Sequence, residues 1–314
     1  MTRHILFASL TAMLLAVSCT HRGYETFTGY AQGGTYQVKA NLEEVSIPHN
    51  TIAAAIDSLL EGIDFSISGY NRSSILSRRN AGEDISPDRY FSELMELSEK
   101  YKELSGGAFD VCSGPLFDIW GFGFTSDSLP SDDAIQKAMQ DCRDGKVLNF
   151  NAIAQGYSCD VIAGYLHSIG VKDMLVDIGE IYCEGLNPSG KGWTIGVDNP
   201  VDGNNSPGKD LKGIWHSDGS GCGIVTSGNY RKFYIKDGKK YAHTIDPRTG
   251  YPVQHNLLSA TVVAPTAAEA DALATACMVL GAEDARSLIE SLDGVEAYLI
   301  CSDGTWKSDG FNLE

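Results

Sequence analysis

Positive charge is scarce in this chain. It has 24 Lys and Arg against 41 Asp and Glu, a formal net charge of −17. The basic residues are scattered and form no stripe, which argues against nucleic acid as a partner, and the body of the protein would be repelled by anionic membrane surfaces. No G-x-G-x-x-G opens a βαβ unit and no G-x-x-x-x-G-K-[ST] occurs, so both common nucleotide-binding loops are missing. Ser227 lies outside any G-x-S-x-G elbow, which leaves a hydrolase triad without support. No C-x-x-C occurs among the eight cysteines, so a zinc site or a dense disulfide framework is disfavoured. Internal repeats and low-complexity tracts are absent too.

What is present is ordinary globular material. Of 314 residues, 43% are hydrophobic and 21% charged, enough for a large core in one big domain or two. An acidic protein of this kind needs a metal ion or helix N-termini to hold a phosphate ligand against repulsion.

The N-terminus speaks to the compartment. Arg3 and His4 precede an apolar run from Ile5 to Val17, too short for a comfortable membrane span, which ends Leu15-Ala16-Val17-Ser18-Cys19. An ordinary signal peptide fits, with Cys19 incidental. A bacterial lipoprotein signal fits better, because Cys19 sits where cleavage belongs, although Ala16 departs from the usual Leu. On that reading residues 1–18 are a signal peptide, Cys19 is the lipidated first residue, 19–30 are a tether and 31–314 are the working domain. The mature protein would face the periplasm on a lipid anchor in a cell membrane. The other seven cysteines are widely spaced and read as buried small hydrophobes. One disulfide is compatible with the count, and the sequence does not choose its members.

Helices are expected after Asn50 as a cap, after Ser86-Pro87, over 132–142, from Asn149 to about Ile169, from a Thr266/Glu269 capping box to Gly281, and over 282–292. Strands are expected from Gly33-Gly34-Thr35 and at 174–178, 193–197, 223–226, 230–235, 240–245, 257–264 and 296–300, with Asp237-Gly238 closing a hairpin and loops at 124–131 and 199–212. Hairpins mixed with long helices indicate an α+β fold rather than a doubly wound parallel sheet.

The chemistry concentrates between His243 and Thr275. His243 ends a strand just before the turn Asp246-Pro247-Arg248-Thr249-Gly250, and a neutral imidazole there can take a proton from a hydroxyl. Asp271 and Thr275 are four residues apart on a helix, so their oxygens share a face. With a backbone carbonyl from elsewhere they would suit Mg²⁺, which takes one or two protein oxygens plus substrate phosphate. Each residue also has a plain structural reading: a packed strand histidine, an Asp favouring the helix dipole, a filler threonine. Tyr70, Phe109, Trp120 and Phe122 offer flat faces for a ring, or simply core packing.

Several segments in order resemble the ApbE-type FAD:protein FMN transferases: Gly34-Thr35-Tyr36, Tyr70 with Asn80, Gly107-Ala108-Phe109-Asp110, Gly114-Pro115-Leu116 with Trp120-Gly121-Phe122, Ala152 to Tyr157, Thr226 to Tyr230, His243 to Gly250, and Ala270 to Thr275. The resemblance covers about residues 30–305. It implies an α+β fold with a largely antiparallel sheet and packed helices. It also implies a reaction, in which FAD is cleaved at its pyrophosphate and FMN is attached through a phosphoester to a threonine of an extracytoplasmic target, such as a membrane redox complex subunit. The metal, Mg²⁺, would be held by side chains matching Asp271 and Thr275 and by the carbonyl matching Ala152. Flavin and adenine contacts would fall at Gly33, Tyr70, Ala108, Phe109, Asp110, Asn149, Gln155 and Ile245, and His243 would match the base acting on the acceptor threonine. Gly33 stands where many members have Met, Asn149 and Gln155 where members often carry Asp and Lys or Glu, and Gly179-Glu180 where Gly-Gly is frequent. Two alternatives stay open: a pyrophosphatase giving FMN and AMP, and a non-catalytic, lipid-anchored FAD-binding protein.

Overall fold

The computed structural model describes residues 23–122, 129–201, 204, 208–230, 233–236 and 239–314, and among these described residues twelve strands and eight α-helices alternate irregularly. The expected signal peptide, Cys19, residues 20–22, most of the expected linker at 124–131 and the expected turn at Asp237-Gly238 lie outside the described residues. The strands are β1 (Tyr24–Ala31), β2 (Gly34–Asn41), β3 (Met174–Asp177), β4 (Ile181–Glu184), β5 (Thr194–Asp198), β6 (Leu211–His216), β7 (Cys222–Gly228), β8 (Phe233–Lys236), β9 (Lys239–Ala242), β10 (Leu257–Ala264), β11 (Glu296–Cys301) and β12 (Gly304–Lys307). The helices are α1 (His49–Ile67), α2 (Ile75–Asn80), α3 (Arg89–Leu104), α4 (Gly114–Ile119), α5 (Asp132–Arg143), α6 (Ala154–Ser168), α7 (Ala267–Leu280) and α8 (Ala282–Glu290). Among the described residues no helix is long and apolar enough to cross a membrane.

Eight strands form one sheet in the order β1-β2-β3-β4-β7-β10-β11-β12, and every neighbouring pair is antiparallel. The expected α+β class and largely antiparallel sheet are what the chain adopts. Alternation along each strand gives the sheet two apolar faces. On one face Val225, Ala260, Val262, Ala297 and Leu299 pack with α3, α7 and α8, while Val38, Met174 and Val176 pack with α1 and α6. The opposite face, with Leu175, Ile224, Tyr298 and Ile300, is covered by Trp193, Val197 and Trp215 from the β5–β6 hairpin and by Phe311.

α7 sits at the centre of the helical layer. Its sequence is rich in alanine because nearly all of it is buried between the sheet and neighbouring helices. A Cβ added at Gly223 would lie 2.3 Å from Ala267 Cα, and one at Gly156 would lie 2.3 Å from the Ala267 carbonyl oxygen. These two glycines let β7 and the first turn of α6 press onto the start of α7.

Several expectations are corrected. Residues 24–30, expected in the tether, form β1, paired with β2 from Tyr24↔Asn41 to Ala31↔Gly34. Only Phe27 points firmly inward from that strand, so its alternation is faint in sequence. β4 and β12 are four residues each and were not anticipated, and β6 begins inside the expected 199–212 loop. The cap of α1 is Pro48 rather than Asn50, and α3 is capped by Asp88, whose carboxylate accepts from Phe91 N at 2.9 Å. α2, capped by Ser74, occupies a stretch for which no helix is expected, and α6 begins at Ala154 rather than Asn149. Thr266 does cap α7, accepting from Glu269 N at 3.1 Å, while the Glu269 carboxylate faces Lys100 at 3.7 Å.

Candidate active site

Beside α7 opens a cavity of about 670 Å³. α7 contributes Asp271, Thr275, Met278 and Val279, spaced as one helical face. Between Ala270 and Val279, Thr275 is the one residue that is not fully buried, and its exposed part faces this cavity. The end of β7 adds Thr226, Ser227 and Gly228, and the stretch after β9 adds His243, Thr244 and Ile245. Ala108 to Val111, Asn149, Ala152 and Gln155 complete the wall near α6, with Tyr70 at 72% exposure on the rim.

Asp271 is the electrostatic centre. It is 5% exposed, and its Oδ2 accepts a hydrogen bond from Gly156 N at 3.1 Å. Burial holds its carboxyl well above the ordinary carboxylate range; the Gly156 N–H opposes that rise and the charge on Asp160 adds to it. Asp160 is itself used to fix α7. Its two oxygens accept from Ala267 N and Ala268 N, both at 2.8 Å, so a carboxylate from α6 caps the N-terminus of the helix that carries Asp271 and Thr275. Nothing local in sequence points to that cap, since the partners are more than a hundred residues apart.

His243 follows β9, half-buried, with the Phe122 ring edge-on at 6.3 Å between centroids. The turn beyond it is tightly fastened. Asp246 accepts from Arg248 Nε and Nη2, both at 2.9 Å, and Trp120 Nε1 donates to the Gly250 carbonyl at 2.9 Å. Gly250 has φ +83°, and a Cβ there would meet Ile135 at 2.8 Å. One end of this motif is thus a structural clamp and the other faces the cavity.

The remaining expected residues divide clearly. Ala108, Phe109, Asn149, Gln155 and Ile245 all line the cavity, with Asn149 Oδ1 accepting from Asn151 N at 2.9 Å. Asp110 lines it too, but its carboxylate already caps Cys112 N at 2.9 Å and pairs with Lys102 at 3.0 Å. Gly33 does not line it. With φ +82° it forms the β1–β2 turn beside Gln32, which reaches Ser158 on α6. Asp118, Glu180 and Phe117 are among the wall residues that the sequence did not single out for the site, while Thr226, also in the wall, shares a hydrogen bond with Thr261 at 2.8 Å. Asn80 is itself part of the wall and fastens it. Its side chain donates to the Leu148 carbonyl at 2.8 Å and accepts from Leu148 N at 2.9 Å, as a neighbouring strand would.

Two features decide what the cavity can hold. Asp110, Asp118, Glu180 and Asp271 line it, and among the described residues it has no Lys or Arg. Phe109, Phe117, Phe122, Tyr70 and Tyr230 give it an extensive aromatic wall. Its volume falls in the range of about 300–1,000 Å³ usual for small-molecule sites. Among the described residues no three His, Cys, Asp or Glu cluster to hold a metal by themselves. A cation here would have to share its coordination with a ligand. The oxygen-only donor set of Asp271, Thr275 and Ala152 suits a hard cation such as Mg²⁺.

The sequence pattern of the ApbE family matches residues 33–299. The FAD:protein FMN transferase of Escherichia coli (strain K12) is 32% identical over 285 residues, spanning 82% of this chain and 79% of that one. The enzyme of the same description from Vibrio cholerae (strain O395) is 31% identical over 306 residues, spanning 90% of each chain. The apo crystal structure of Pseudomonas stutzeri flavinyl transferase ApbE superposes with a TM-score of 0.80 at 31% identity, covering 91% of this chain and 95% of that one.

Proposed function

The chain belongs to the ApbE family, and we propose that it works as an FAD:protein FMN transferase whose acceptor is a threonine hydroxyl of an extracytoplasmic protein. The carrying observation is the cavity that joins an aromatic wall to Asp271, Thr275, Ala152 and His243 without one Lys or Arg among the described residues. A dinucleotide brings a flat ring system and a charged pyrophosphate. The aromatic wall suits the ring. The acidic wall would repel the pyrophosphate, so the substrate must enter with a divalent cation.

Asp271, Thr275 and the Ala152 carbonyl would hold that Mg²⁺, which supplies charge neutralisation along the pyrophosphate. An almost fully buried carboxylate with one backbone donor is poorly compensated, and such a group is a suitable ligand. His243 takes the proton from the acceptor threonine as its oxygen forms a bond to the FMN phosphorus. The bond from that phosphorus to the bridging oxygen breaks, and AMP leaves. The fastened Asp246–Gly250 turn holds the His243 segment in place through this step.

We further propose that Cys19 is lipidated and that the protein works outside the cytoplasmic membrane, on an acceptor such as a subunit of a membrane redox complex. Support comes from the basic, apolar and small-residue pattern of residues 3–19. Incorporation of a clickable fatty acid into the wild type but not into Cys19→Ser tests it.

Incubating the mature protein with FAD, Mg²⁺ and a threonine-bearing acceptor should yield an acceptor that fluoresces in a denaturing gel, with FMN mapped to threonine. Release of FMN and AMP with no acceptor labelled would favour hydrolysis instead. Tight FAD binding with no turnover would favour a carrier.

A further inference from the structure

β4 and β7 lie side by side in the central sheet, and their register sets Ile181 opposite Ile224, Tyr182 opposite Gly223, and Cys183 opposite Cys222. Directly opposed residues of an antiparallel pair have Cα atoms about 4.5–5.5 Å apart, inside the window of about 4.4–6.8 Å that a disulfide spans. Both side chains point to the face covered by Trp193 and Trp215, and both are free thiols here. The other described cysteines lack such a partner. Cys159 donates to the Glu180 carbonyl at 3.1 Å, and Cys301 stands opposite Leu257 and Gly304.

The pair also occupies a particular place in the chain. Cys183 is in the last strand before residues 185–221 leave the sheet, and Cys222 begins the strand on which they return. That excursion carries the β5–β6 hairpin. Its base is tied by Gly185 N to the Gly219 carbonyl at 3.0 Å and by Trp193 Nε1 to the Glu184 carbonyl at 2.9 Å.

We infer that Cys183 and Cys222 form a redox-active dithiol that closes into a cross-strand disulfide and staples the base of the 185–221 excursion. The partner is a disulfide oxidant, a small molecule or another protein's disulfide, that enters through Cys222.

The two thiols are unequal in a way that sets this order. Cys183 is fully buried and Cys222 partly exposed. A hydrogen bond between them lowers the Cys222 pKa and, together with burial, raises that of Cys183. The accessible thiol is thus the readier thiolate, and the buried one stays protonated beside it. Cys222 attacks one sulfur of the oxidant, forming a mixed disulfide and releasing the first thiolate. Cys183 then attacks the Cys222 sulfur, its proton passing to the second departing thiolate. Two protein thiols are oxidised to one disulfide, and the oxidant's disulfide is reduced to two thiols.

Neither cysteine lines the cavity, so this inference stands apart from the transferase reading. The test uses the reduced full chain, treated with oxidised glutathione, alkylated under denaturing conditions and peptide-mapped. The expected result is a reducible Cys183–Cys222 peptide. It should come with slower proteolysis within 185–221 and a rise in Tm of about 5 °C. Cys183→Ser should stop at a stable glutathione adduct on Cys222, and Cys222→Ser should leave Cys183 unmodified. Recovery of both residues as alkylated free thiols from the treated wild type would overturn it. So would Cys222 joined to a different cysteine, or oxidation of Cys183 in Cys222→Ser.

Discussion

Gly156 N donates to Asp271 Oδ2 at 3.1 Å, and a Cβ on Gly156 would come within 2.8 Å of the Asp271 Cβ. The absence of a side chain at residue 156 therefore sets how closely α6 approaches the buried carboxylate. Gly156→Ala should improve local helix propensity by about 1 kcal/mol. The clash with the Ala267 carbonyl should outweigh that gain and leave the protein less stable by about 1–3 kcal/mol. Urea denaturation measures the difference, and a more stable variant would contradict the packing described.

Asp160 holds the start of α7 with two hydrogen bonds to backbone N–H groups. Its replacement by Ala should cost about 1–2 kcal/mol, as loss of an N-cap does. Asp160→Asn keeps one acceptor and should cost less. Amide exchange at Ala267 and Ala268 should speed up more in Asp160→Ala than in Asp160→Asn.

His255 packs beneath the C-terminal end of α7, its Nε2 donating to the Met278 carbonyl at 2.9 Å. Nδ1 is buried without a partner, so protonating it would add an unmet donor. Burial lowers the His255 pKa, against the pull of its backbone hydrogen bonds. A histidine with a lowered folded-state pKa favours the folded chain above the unfolded pKa of about 6.5, and that contribution is lost as the pH falls. Tm should drop between pH 7 and pH 5 in the wild type and drop less in His255→Gln. Equal slopes would show that His255 is not the group whose protonation destabilises the fold.

The fold class and the cavity-facing residues of α7 were legible in the sequence because local rules carry them. Asp271 and Thr275 share a face by helical period, and Thr266 caps by chemistry that spans three residues. What was not legible is tertiary. Asp160 as the cap of another helix and Asn80 as a surrogate strand partner for Leu148 depend on contacts between distant segments. β1 escaped because Phe27 alone marks its inner face, and β4 because four residues are too few to show a period. Gly33 was assigned to the ligand by resemblance alone, and its conformation answers to the β1–β2 turn.

Thr275 offers a single hydroxyl to the site, partly exposed to the cavity from an otherwise buried run. Thr275→Ser keeps that oxygen and should keep activity near the wild type, whereas Thr275→Val keeps the shape and removes it. Thr275→Val should therefore raise the Mg²⁺ concentration needed for half-maximal flavinylation. Identical Mg²⁺ curves for the two variants would show that the hydroxyl is not a ligand.

In the proposed function Asp271 holds the cation that admits FAD to an acidic cavity. The most direct measurement is the rate of acceptor flavinylation by wild type, Asp271→Ala and Asp271→Asn across an Mg²⁺ titration, with Tm recorded alongside to confirm folding. In the wild type, Mg²⁺ should be required, and both variants should lose more than the about 10–100-fold typical of groups that merely support a metal ligand. They should also lose the Mg²⁺-dependent rise in Tm that FAD is expected to give the wild type. Folded Asp271→Ala that flavinylates at the wild-type rate, with the same Mg²⁺ dependence, would contradict the assignment.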